Sequence, residues 1–164
     1  MRKTFAPVDD VLIERLFQPA LDTITNRIGF DRGRAACFCL DIASVSWIVS
    51  RARGLSDAVV AWDASNAAAG FALLVLGLAA LTSLRVLFRR AGSSGGNPLR
   101  MTMQPHRATV LLMLIVRLVQ LQAPGLADAA DLVMLVCAGS ALYLGACAER
   151  PPIRRGWVAL TPAG

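Results

Sequence analysis

Residues 67–81 read AAAGFALLVLGLAAL, a run without a single charged or hydrogen-bonding side chain. Extended to its natural limits, the apolar block covers residues 64–84. A bilayer core about 30 Å thick is crossed by roughly 20 helical residues, so this block alone suffices for a membrane-spanning helix. Three more apolar blocks lie around it, at about residues 35–50, 105–122 and 126–148. The third opens at Pro105, a suitable first helical position, and ends before Pro124-Gly125; the fourth stops at Pro151-Pro152. The pattern predicts an all-α membrane protein of four transmembrane helices arranged as two hairpins.

The totals agree. The chain of 164 residues is 55% hydrophobic and 17% charged, against about 45–50% and 25% in average globular proteins. Its net charge is +6. The arginines flank the apolar blocks, so the basic balance is accounted for by a lipid surface, without nucleic acid. If all four blocks span, fourteen of the seventeen Lys and Arg residues fall on one side, two (Arg51 and Arg53) on the other, and Arg117 within a span. Cytoplasmic loops carry the excess of Lys and Arg, which places both ends of the sequence in the cytoplasm. One lysine beside sixteen arginines, with abundant alanine, resembles a GC-rich bacterial source, hence an inner membrane.

Ahead of the spans, residues 1–34 form a cytoplasmic region without the apolar core of a signal peptide. Leu12, Leu16, Ala20, Leu21, Ile24 and Ile28 recur at helical spacing, predicting an amphipathic N-terminal helix. Asp9 and Asp10 suit its N-cap, and Pro19 should kink it. A Gly/Ser-rich cytoplasmic connector is expected at about residues 91–99, and a short cytoplasmic tail at 149–164.

Two charges sit inside apolar blocks. Asp41 lies in CFCLDIASVSW (residues 37–47), and Arg117 in ATVLLMLIVRLVQLQ (residues 108–122). A carboxylate near the centre of a membrane helix costs about 2.5–3.5 kcal/mol on insertion scales and needs a partner, water or a proton. Measured from the block ends, the two Cα depths differ by about 6 Å, so an Asp41–Arg117 pair is expected. Cys37 and Ser44 continue the polar face of Asp41, and Gln120 that of Arg117. Small residues mark expected contact faces: Gly70 and Gly77 on the second block; Cys137, Ala141 and Gly145 on the fourth.

Nothing points to catalysis. The four cysteines, Cys37, Cys39, Cys137 and Cys147, sit in apolar blocks without metal-ligand spacing, and His106 stands alone. No Ser-His-Asp arrangement or dinucleotide fingerprint is present. No catalytic residue, metal or cofactor is therefore expected. The expected role is a non-catalytic accessory or scaffold component, bound to the lipid bilayer and to other membrane proteins or itself. The alternative is a small proton- or cation-coupled transporter or channel component using Asp41.

Overall fold

The computed structural model describes residues 2–91, 99–120 and 125–148. Among the described residues the only regular secondary structure is helical. The N-terminal helical run comprises α1 (Arg2–Val11), a π-helical turn (Leu12–Phe17) and α2 (Gln18–Ile28). The π turn ends at Phe17, two residues before Pro19, whose ring carries no N–H and crowds the carbonyl four residues earlier. Widening the turn lets Gln18 N–H donate to the Ile13 carbonyl, five residues back. The helix starts at Arg2, so Asp9 and Asp10 are interior positions and not caps. Gly29, with φ of 76°, closes α2 in the left-handed conformation that glycine adopts without penalty.

Asp31 then caps α3 (Arg32–Val60), its carboxylate accepting the Arg34 N–H at 2.7 Å. The 29 residues of α3 extend well beyond the expected limits of 35–50, because Arg51, Arg53 and Asp57 stay helical outside the apolar stretch. The turn into α4 (Ala64–Ala91) is tight. Trp62 takes the left-handed position (φ 54°), and the Trp62 and Asp63 N–H groups return to the Val59 and Ala58 carbonyls. Asp63 simultaneously caps α4 by accepting from Asn66 N–H and the Ser65 hydroxyl. These bonds hold its carboxyl below the ordinary carboxylate range. The chain continues through α5 (Leu99–Thr102), α6 (Gln104–Gln120) and α7 (Leu126–Ala146). The Asp128 carboxylate accepts the Gly125 N–H at the start of α7.

Three of these helices, α3, α4 and α7, are long and apolar enough to cross a membrane. The remaining expected span, at about residues 105–122, corresponds to α6, which has 17 residues. Residues 121–122, most of the Gly/Ser-rich connector and the tail at 149–164 lie outside the described residues.

The bundle is organised around α3. One face packs on α7 through Ala36, Leu40 and Ala43, each almost fully buried, and the opposing Ala138, Ala141 and Leu142. Small side chains let the backbones approach closely, which matters where van der Waals packing replaces the hydrophobic effect between helices. On another flank α3 meets α4. Gly77 lies against the indole of Trp47, whose Nε1–H donates to the Leu74 carbonyl at 3.2 Å. A Cβ at Gly77 would enter the indole, and one at Gly145 would enter the ring of Phe88. Gly70 faces Leu55, while Cys137 is half-buried beside the core and Ala141 lies within it. These small positions thus sit at contacts within the chain.

The contacts fix directions. Gly33 meets Phe88, and Arg32 reaches the Cys147 carbonyl, at the end where α3 begins, here the near end. Ser50 and Arg51 meet Asp131, and Arg117 joins them, at the far end. Thus α3 and α6 run from near to far, and α4 and α7 return. The N-terminal run lies across the near end. Ile13 and Leu21 bury against the bundle, and the Gln18 amide both donates to and accepts from the Ala148 backbone.

Candidate functional site

Among the described residues, ion pairs between helices gather at the far end, at the near end and on the flank between α3 and α4. At the far end, the Asp131 carboxylate of α7 is almost fully buried and gathers side chains from two other helices. Ser50 Oγ donates to it from α3; Arg51 Nη2 donates to both oxygens at 2.9 and 3.1 Å; Arg117 Nη2 donates from α6. The Arg51 guanidinium also stacks 4.4 Å above the Trp47 ring centroid. One carboxylate therefore ties three helices together and carries two arginines. They line a cleft of about 390 Å³, walled on its apolar side by Leu112, Val116 and Met134.

At the near end Arg107 is completely buried at the start of α6. Asp9 accepts from its Nε and Nη2 at 2.9 and 2.5 Å, and Nη2 also donates to the Arg100 carbonyl at 2.7 Å. Tyr143 lies under the guanidinium, 5.6 Å from its centroid, and stacks on Phe17. Around this core pair Arg100 bridges Asp10 and Glu14 in the open. Those two carboxylates push the Arg100 guanidinium upward from its ordinary value. The N-terminal run is thus clasped to the bundle by carboxylates of one face and arginines that lead into α6.

The third centre holds Asp41. Its partner is Arg85 of α4, at 2.8 Å, and the side chains retain 47% and 39% exposure. The expected Asp41–Arg117 pair is not formed: Arg117 pairs with Asp131. Because α3 continues to Val60, Ser50 marks no helix end, and Arg117 is level with Ser50 and Arg51. Asp41 lies ten positions earlier on α3, about 15 Å along the axis, beyond the reach of an arginine. Nor does Asp41 point into the bundle. Ala36, Leu40 and Ala43 take that face, while Asp41 sits on the flank between α3 and α4 in a lateral cleft of about 590 Å³. Of its expected companions, Cys37 is buried with its thiol toward the Arg85 carbonyl, and Ser44 bonds back to the Leu40 carbonyl. Gln120 lines the far cleft with Arg117.

Neither Asp131 nor an Asp9–Arg107 pair stands out from hydropathy and spacing alone. A signal existed for the first: Arg117 and Asp131 are equidistant from Pro124, and Asp41 and Arg85 are equidistant from Asp63. Residues placed symmetrically about a hairpin turn come level on antiparallel helices. Asp9 gave no such signal, since its partner lies on a helix that docks only in the folded state.

Among the described residues no group of His, Cys, Asp and Glu could hold a metal ion, and the four cysteines are free. The described residues define an all-helical fold with three candidate membrane-spanning helices, its helices joined by interhelical ion pairs. No protein-family model matches the sequence, and neither a curated protein nor a solved structure matches it.

Proposed function

We propose that the chain is a four-span accessory or scaffold component of a membrane complex, in the inner membrane of a bacterium, with both ends of the sequence cytoplasmic. Connectivity supports the fourth span. If α3, α4 and α7 cross, α4 ends at the near side and α7 starts at the far side, so the chain must cross back between them. Within the described residues α6 makes that journey, and 17 residues lie at the short limit of about 17–25 for a spanning helix. Among the described residues Arg15, Arg27, Arg32, Arg34, Arg85, Arg89, Arg90, Arg100 and Arg107 lie toward the near end and Arg51, Arg53 and Arg117 toward the far end, which favours a cytoplasmic near end.

The observation that carries the scaffold reading is α4. It packs mainly on α3, and only 11% of its apolar window is buried. Its outward face repeats small side chains: Ala68, Ala72, Ala79 and Ser83 are all exposed, with Leu76 among them. Such spacing lets a further helix approach closely. A transporter using Asp41 is supported less, because Asp41 lines a lateral cleft and already holds Arg85.

The test is extraction in gentle detergent with a photo-cross-linking residue at Ala72 or Ala79. A stoichiometric membrane-protein partner should cross-link and co-purify, and Ala72→Leu/Ala79→Leu should abolish recovery while helix content is kept. Repeated recovery of a lone monomer, with cross-links to lipid only, would contradict the proposal.

A further inference from the structure

We infer that the lateral cleft between the near ends of α3 and α4 binds the headgroup of an anionic phospholipid, with its phosphate held by Arg34, Arg85 and Arg89. The inference rests on the membrane reading of the fold and not on the scaffold role.

The cleft has two kinds of wall. Phe30, Phe38 and Phe88 supply aromatic surface, and Phe38 is 57% exposed. The three arginines stand against two aspartates, Asp31 and Asp41, leaving one positive charge in a site open to the bilayer side. The aspartates use that charge incompletely. Arg34 and Asp31 are both exposed and 3.7 Å apart, Arg89 has no partner among the described residues, and Arg85 Nε has no acceptor among them. A half-exposed ion pair on the flank of a membrane hairpin is costly if it meets hydrocarbon. A phosphodiester removes that cost by accepting charge-assisted hydrogen bonds from guanidinium groups.

The position suits a lipid. Arg34 and Arg89 lie at the end where the positive charge accumulates, and Arg85 is one turn deeper. Basic pockets between helices on the cytoplasmic side match the leaflet that holds anionic lipid. An acyl chain descending from the headgroup would follow exposed Phe38, Ile42 and Val45 along α3. Free phosphate would leave that apolar path unused, which distinguishes the two sources of the same chemistry.

The experiment is native mass spectrometry of the purified full chain in detergent, titrated with dioleoyl phosphatidylglycerol or dioleoyl phosphatidylcholine. Equal acyl chains isolate the headgroup. One phosphatidylglycerol should be retained in preference. Arg34→Gln and Arg89→Gln, both at exposed positions where the fold does not depend on them, should each lower that preference roughly fivefold. Arg53→Gln, outside the cleft, should leave it unchanged. Asp41→Asn should raise it, because Arg85 loses its competing carboxylate; a purely structural Asp41 would not produce that gain. Equal retention of the two lipids, indifference to Arg34→Gln and Arg89→Gln, or no gain in Asp41→Asn would overturn the inference. So would inorganic phosphate displacing the lipid at equal concentration. The isolated chain is used without a partner, so the outcome is independent of whether a partner is found.

Discussion

Replacing Asp9 with alanine should destabilise the protein by about 3–5 kcal/mol, the usual cost of removing one member of a buried ion pair. Arg107 has no exposure, and two of its donors end on Asp9. Nη1 already lacks an acceptor among the described residues, so the guanidinium has no spare contact to fall back on. Its stem is enclosed by Tyr143 and the N-terminal run, which prevents it from turning to water. The loss should appear as a lower midpoint in denaturing-detergent titration and as protease sensitivity confined to residues 2–28. Asp9→Leu combined with Arg107→Met should recover most of the stability, because removing both charges also removes their desolvation. Failure of the double variant to improve on Asp9→Ala would show that the pair is not the source of the effect.

Asp131→Ala should rank second, at about 2–3 kcal/mol, from the loss of charge-assisted hydrogen bonds to three donors. The value is smaller because Arg51 and Arg117 retain 32% and 40% exposure, and long cationic side chains can turn toward the interface. The effect should concentrate where α3, α6 and α7 converge. A cysteine cross-link between the far ends of α6 and α3 should form less efficiently in the variant, while one between α3 and α4 should be unaffected. Asp41→Asn is the contrast: its pair is half-exposed, and such pairs contribute about 0–1 kcal/mol. Equal losses in Asp131→Ala and Asp41→Asn would contradict the ranking by burial.

The helices were legible in the sequence because membrane spans write themselves as apolar blocks between arginines and breakers. The run at 67–81 and the stop near Pro124 located α4, α6 and α7 to within a few residues, apart from α4's charged continuation to Ala91. The end of α3 was not legible. Helix propensity and Schellman closure carry it through Arg51, Arg53 and Asp57 to Val60, where hydropathy had already fallen. The longer helix sets Asp41 away from the level of Arg117, which leaves Asp131 as the partner of Arg117. Hairpin symmetry about Asp63 and Pro124 carries the right pairing, since neighbours in a hairpin meet before distant spans do. Asp9 was legible only as a helix-cap type; its burial arises because the N-terminal run folds back over α6. Gly77 is legible as a small-residue contact position, but nothing in the spacing names its counterpart. In the structure Trp47 fills the α3–α4 seam and supports Arg51.

The central claim is that the chain crosses the membrane four times, with Asp41–Arg85 and Arg117–Asp131 as level pairs within two hairpins. Paired reporter fusions, active only outside or only inside the cell, after residues 62, 95 and 123 test it most directly. Residues 62 and 123 should report outside and residue 95 inside. An inside signal at residue 123 would mean that α6 does not cross, and would contradict the direction of α7 on which the far-end centre depends.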